Sequence, residues 1–277
     1  HTQFDARIGE SAYYQTLAEA FQNAWGGSTI TLMRDVNLNK SCSASDIITL
    51  DLHGKTITSG DKFFNVNNKL TVKDSSEGGG TQALNVKFRV SSNGTLAVDD
   101  SYTGEISRVE LQAGGALEAY TGTIQELLLG NGNGTGYSVK LWKGNTSACI
   151  IGKITDSTTS KGLTVKDLLK TNHAKCELYG EKDGAWSIVP KTEKISELTG
   201  YTAYKVQFAE CVHQCDNDTV EKPVCSKCGK VLVVKITATA SDDKIKTAWF
   251  PVDSAIENGD GYVEAIQTLN GWSAEGY

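Results

Sequence analysis

One phrase recurs from about Val36 to about Thr155 of this chain: a short stretch alternating apolar with polar residues, a turn rich in Asn and Gly, then a second alternating stretch. Its clearest copies are Ile48 to Ile57 (ITLDLHGKTI), Phe64 to Val72 (FNVNNKLTV), Phe88 to Val98 (FRVSSNGTLAV) and Val109 to Ala119 (VELQAGGALEA). Alternation sends neighbouring side chains to opposite faces of a strand, so each phrase reads as two half-buried strands around a turn. Taking Leu52, Val66, Val90 and Leu111 as equivalent inward positions gives separations of 14, 24 and 21 residues. That period is long for a hairpin ladder and fits a solenoid, in which each coil contributes two or three short strands and buries its apolar side chains against the next. Leu96 and Leu117 are inward positions of the same pattern. The competing architecture is an up-and-down antiparallel sandwich, whose hairpins also use Asn-Gly turns. Only three prolines accompany 28 glycines, a composition suited to many short strands joined by tight turns.

The flanks read differently. Ser11 to Ala24 (SAYYQTLAEAFQNA) sets Leu17, Ala20, Phe21 and Ala24 at helical spacing and predicts a short helix that Gly26 and Gly27 end, and Thr29 to Val36 predicts a strand. Gly130 to Gly136 (GNGNGTG) predicts a loop, and Tyr137 to Trp142 and Cys149 to Ile154 predict later coils. Gly162 to Lys170 suits a short helix or turn, and Cys176 to Tyr179 and Ala185 to Val189 suit strands around the turn Lys182-Asp183-Gly184. This stretch is expected to cover the strand edges of the last coil. Thr247 to Ile256 (TAWFPVDSAI) echoes Ser11 to Phe21 with one residue deleted, and Gly261 to Leu269 echoes Gly27 to Leu32. The division is therefore a solenoid with an N-terminal helix over 1–160, a C-terminal cap over 161–208, a cysteine-rich knuckle over 209–235, and the start of a following module over 236–277.

Charge and hydropathy exclude several functions. Lys plus Arg total 27 against 33 Asp plus Glu, a net charge of −6 that offers no basic field to nucleic acid. No apolar run approaches the roughly 18 residues of a membrane helix, so no membrane insertion is expected. The catalytic inventory is thin. Arg89 and Arg108 are the arginines of the central coils, without the acidic calcium cluster that a pectate-lyase-like site requires. Asp99-Asp100 is the one paired carboxylate in a coil, and adjacent residues on a strand face opposite ways, which suits a turn better than a shared acid/base site. The histidines are His1, His53, His173 and His213, too few for a Ser/His/Asp set once His213 is counted with the cysteines; His53 is expected to be solvated. Tyr13, Tyr14, Trp25, Trp142, Trp186, Trp249 and Trp272 could stack on sugars or serve as core. Cys42, Cys149 and Cys176 lie far apart and read as buried, inert thiols, or as a disulfide between two of them.

Cys211-Val212-His213-Gln214-Cys215 and Cys225-Ser226-Lys227-Cys228-Gly229 form a different kind of pattern. Two thiolates two residues apart, followed by a glycine that permits the tight turn, aim both sulfurs at one metal ion. The first half supplies three candidates, Cys211, His213 and Cys215, for the two remaining places of tetrahedral zinc. The alternative is disulfide pairing, as in exported proteins. Four protein ligands would leave no open position for a catalytic water, so the zinc expected here is structural.

The phrases from Ser11 to about Lys235, with LDLHGKTI, KLTVKDSSEGGG, NGTLAV and the CxH…CxxCG segment, resemble right-handed parallel β-helix modules of large surface proteins of Gram-positive, often intestinal, bacteria. The resemblance implies an all-β, right-handed parallel β-helix with a short helical N-cap, an α+β C-terminal cap and a small zinc knuckle. It implies an extracellular, cell-wall-associated protein, of which this chain is a monomeric segment within a longer multi-module polypeptide. In that family CxH is followed by CxxC, which favours Cys211, His213, Cys225 and Cys228 as zinc ligands, with Cys215 a departure from the pattern. The function expected is noncatalytic, structural or adhesive, with a host glycan or host protein as partner. The alternative is a carbohydrate-active enzyme, a polysaccharide lyase or glycoside hydrolase, since β-helices also carry such sites.

Overall fold

A computed structural model describes residues 3–77, 84–130, 136–142, 149–172, 174 and 176–208, together with the strands 233–239 and 245–251. The chain divides into two compact units, His1–Ala209 and Glu210–Tyr277.

The first unit opens with β1 (Ala6–Ile8) and β2 (Ala12–Tyr14), paired antiparallel, and then helix α1 (Leu17–Asn23). The expected helix from Ser11 is therefore split in two. Tyr13 and Tyr14 belong to a strand, as β-favouring aromatics with a partner in β1. The helix starts only where Thr16 and Glu19 form a reciprocal capping box, with Thr16 Oγ1 accepting from the Glu19 N–H and Glu19 Oε2 from the Thr16 N–H, each at 3.2 Å. Asp5 ties this start together. Its Oδ2 accepts from the Leu17 N–H at 3.2 Å, and its Oδ1 lies 2.7 Å from Arg34 Nε and 2.6 Å from Nη2.

A β-solenoid of about five turns comes next. β3 (Thr29–Leu32), β6 (Ile48–Asp51), β8 (Lys69–Lys73), β10 (Thr95–Val98), β12 (Ala116–Ala119) and β14 (Ser138–Lys140) stack in parallel as one sheet, which β1 and β2 extend antiparallel beyond β3. The second sheet takes β4 (Val36–Asn37) and β5 (Cys42–Ala44), both parallel to β7 (Ile57–Val66), then β9 (Leu84–Val90), β11 (Glu105–Leu111), β13 (Thr123–Gly130) and β15 (Ile150–Ser157). The expected strand Thr29 to Val36 is broken at Leu32, because the chain turns there from the first sheet to the second. Coil-to-coil pairing is parallel throughout, so the hairpin sandwich is excluded for these residues.

Between the sheets the expected inward residues are buried: Leu52, Val66, Val90 and Leu96 at 0–1% exposure, Leu111 and Leu117 likewise. Leu52 nevertheless belongs to a different column from Val66, Val90 and Leu111. Val66 pairs with Val90 and Val90 with Leu111 in the second sheet, whereas Leu52 follows β6 of the first sheet. The odd separation of 14 residues compared positions on two different sheets. Phe64 and Phe88 stack in the core at 5.3 Å between ring centroids, and Phe21 of α1 extends the aromatic column at 5.6 Å. At the corner before β10, a Cβ on Gly94 would run into the Val66 carbonyl oxygen of the preceding coil, so only glycine permits the close approach of the two backbones.

At the far end, the column Val66–Val90–Leu111–Leu129 finishes on a carboxylate, Asp156, which is 3% exposed. The group is satisfied locally: it accepts from the Thr158 N–H at 2.8 Å, Thr158 Oγ1 at 2.5 Å and the Leu163 N–H at 3.1 Å. Helix α2 (Val165–Leu169) lies within the stretch read as a short helix, started by a Thr164/Asp167 capping box. β16 (Cys176–Lys182) and β17 (Ala185–Val189) form a hairpin whose Asp183 and Gly184 have φ of 52° and 77°, the left-handed pair of a two-residue turn. A 3₁₀ turn (Ile195–Glu197) leads to β18 (Ala203–Phe208), which pairs antiparallel with both β15 and β16. On the first sheet, no strand among the described residues pairs beyond β14. Its edge groups are bonded instead by two side chains. Thr171 Oγ1 accepts from the Val139 N–H at 3.0 Å, Asn172 Oδ1 accepts from the Leu141 N–H at 3.0 Å, and Asn172 Nδ2 donates to the Val139 carbonyl at 2.7 Å. The expected loop at Gly130 to Gly136 falls mostly outside the described residues. In the second unit, β19 (Val233–Thr239) and β20 (Ile245–Pro251) form an antiparallel pair.

Candidate functional site

The four expected zinc ligands, Cys211, His213, Cys225 and Cys228, with their competitor Cys215, lie outside the described residues. Among the described residues no group of three or more His, Cys, Asp or Glu side chains could hold a metal ion. Cys42, Cys149 and Cys176 are buried and none is in a disulfide. Burial pushes the thiols of Cys42 and Cys149 up to about 12, which keeps them protonated and poorly nucleophilic at neutral pH.

Asp99 and Asp100 are exposed and sit in a turn. Asp99 Oδ1 accepts from the Ser101 N–H at 2.9 Å, and the Tyr102 N–H donates to the Asp99 carbonyl at 2.9 Å. The same device recurs one and two coils earlier, at single aspartates. Asp51 Oδ1 accepts from its own turn at the His53 N–H (3.1 Å) and from the next coil at the Ser75 N–H (3.0 Å). Asp74 reciprocates, its Oδ1 accepting from the Ser76 N–H at 2.8 Å and from Gly54 of the preceding coil at 3.0 Å. Both carboxylates are buried and both stitch one coil to the next, so their work is structural. His53 is exposed with φ 47°, and its Nδ1 lies 3.2 Å from Ser75 Oγ, also exposed. No carboxylate among the described residues hydrogen-bonds that ring, as a triad would need.

The outer face of the second sheet is partly exposed and carries an ordered array of charges. Alternation there brings Phe63, Lys87, Arg108, Glu126 and Lys153 into one register column and Asn65, Arg89, Glu110, Leu128 and Thr155 into the adjacent one. The charges interlock across both columns. Arg89 Nε lies 3.2 Å from Glu110 Oε2; Arg108 Nε is in ionic contact with Glu110 at 3.1 Å and Glu126 at 3.5 Å; Lys153 Nζ lies 3.4 Å from Glu126. At the early end the Arg89 guanidinium sits 3.9 Å over the Phe63 ring, with Lys87 Nζ at 5.8 Å from the same centroid. The two arginines of the central coils are thus members of an ion ladder on a sheet face. Nothing in the sequence pairs Glu110 with Arg89 until the 21-residue offset between their coils is known. The outer face of the first sheet is plainer, running through Thr29, Thr49, Thr71, Ala97, Glu118 and Lys140, with Lys140 Nζ 2.8 Å from Glu118.

Of the aromatic candidates, Tyr13 and Trp25 are exposed at 43% and 63%, while Trp186 is covered by Lys205 Nζ at 4.2 Å. Trp272 lies outside the described residues. No helix among the described residues is long and apolar enough to cross a membrane. No family model, curated protein or solved structure matches the chain.

Proposed function

We propose that this chain is a noncatalytic, structural or adhesive segment of a bacterial cell-surface protein, an extracellular and wall-associated multi-module polypeptide of the Gram-positive type its phrases resemble. The supporting observation is the outer face of the second sheet, where an extended two-column ladder of paired charges begins on the Phe63–Arg89 stack. A strip in which each arginine is held by a carboxylate and one arginine covers an aromatic ring is built for contact with an extended ligand, a host glycan or host protein. Acid/base chemistry asks instead for carboxylates converging on one bond. On the same reading α1 with β1 and β2 is the N-cap, residues 161–208 are the C-terminal cap, and Cys211, His213, Cys225 and Cys228 hold a structural zinc. Their donor chemistry, three thiolates and an imidazole, suits zinc, and about 25 residues with few apolar side chains need such a staple.

A glycan and host-protein array run beside a polysaccharide-degradation assay tests the function. Binding without turnover, weakened by Phe63→Ala or Arg89→Ala, is the expected result. Turnover that Asp99→Asn or Asp100→Asn abolishes would sink the noncatalytic reading. For the metal, one zinc per chain is expected, lost on His213→Ala and kept on Cys215→Ala. Absent metal with oxidised thiols would put disulfides in its place.

A further inference from the structure

Three of the seven register pairs of β19–β20 repeat the three of β1–β2 in residue type, although β19–β20 runs on for three further pairs where β1–β2 turns after Ile8. In the first unit Ile8 faces Ala12, Arg7 faces Tyr13 and Ala6 faces Tyr14. In the second, Ile236 faces Ala248, Lys235 faces Trp249 and Val234 faces Phe250. By residue type the register positions place isoleucine opposite alanine, a basic residue opposite an aromatic, and a small apolar residue opposite an aromatic, in the same order. Sequence similarity covers only the second strand of each hairpin, SAYY against TAWF, so the matching of the first strands comes from the pairing itself.

The segments C-terminal to the two hairpins also correspond. After β2 comes Leu17–Asn23 (LAEAFQN), whose Leu17, Ala20 and Phe21 are buried and which packs against both β1 and β2. After β20 comes VDSAIEN, residues 252–258, with Val252, Ala255, Ile256 and Asn258 at the places of Leu17, Ala20, Phe21 and Asn23. We propose that β19–β20 is a second copy of the hairpin that starts the solenoid, and that its docking partner is the segment 252–258 of the same chain. The chain then carries two starts of one module, an inference that rests on the multi-module reading.

Hydrogen exchange of the full chain, read by mass spectrometry, tests this. Ile256→Asp should speed exchange in 233–239 and 245–251 by about tenfold or more, leaving the solenoid coils as an internal control. Glu257→Ala, at the place of exposed Gln22, should leave both strands within about twofold of the parent chain. Unchanged exchange of the hairpin in Ile256→Asp overturns the proposal. So does hairpin protection that rises with protein concentration, which would make a second copy the partner. Neither result bears on ligand binding or turnover, so this proposal and the functional reading fail separately.

Discussion

The strands of the second sheet carry two sets of columns that differ in nearly every physical respect. The inner set runs Cys42, Phe64, Phe88, Val109, Leu127, Ile154, all buried and almost all apolar. The outer set, one residue away along each strand, runs Phe63, Lys87, Arg108, Glu126, Lys153 and is held by ion pairs at 3.1–3.5 Å between partly exposed groups. Inner columns gain free energy from area removed from water and from close packing, which no solvent can replace. Outer columns trade one hydrated partner for another and gain little. The inner set therefore specifies the coil, and the outer set is free to vary without unfolding it.

Removing an inner aromatic should have the largest effect. Phe88→Ala deletes the ring stacked on Phe64 and should cost about 3–5 kcal/mol in urea-midpoint stability. A loss under about 1 kcal/mol would mean the column is not the core. Next comes alkaline pH. Cys42 and Cys149 have folded-state thiol values pushed up to about 12, so their contribution is complete below the unfolded thiol value of about 8.5 and is lost as pH rises towards 12. Urea midpoints should fall between about pH 9 and 11, and both thiols should resist iodoacetamide in the folded chain; a flat profile would contradict their burial. Asn172→Ala unbonds the Leu141 N–H and leaves the Val139 carbonyl with Thr171 Oγ1 as its remaining side-chain donor; it should cost about 1–2 kcal/mol, with faster exchange at the Leu141 amide. Smallest is the outer ladder: Arg89→Ala should change stability by less than about 1 kcal/mol while weakening ligand binding. If it instead destabilises the fold as Phe88→Ala does, the contrast between the two faces fails.

The solenoid was legible because inward residues alternate and turns recur, and Val66, Val90, Leu96, Leu111 and Leu117 are buried where alternation put them. The assignment of Leu52 to the same column as Val66 failed for a definite reason. Alternation reports which side of a strand faces in, and it is silent on which of two sheets the strand joins. The Ser11 to Ala24 segment failed similarly, since Tyr13 and Tyr14 satisfy a helical period while their pairing with β1 makes them a strand.

By itself, then, the sequence determined local matters: strand periodicity, the turn at Asp183-Gly184 and the acidic, arginine-poor composition. Each depends on neighbours within a few residues, where backbone geometry alone sets who meets whom. Only the tertiary structure decided that Arg89 meets Glu110, that Asp51 holds Ser75 of the next coil, and that Thr171 and Asn172 bond the edge of β14 in place of a strand. Those contacts join residues 21 to 33 positions apart, and coil lengths vary from turn to turn. A side chain's partner in the next coil is set by the stacking register, which forms only when the inner columns pack.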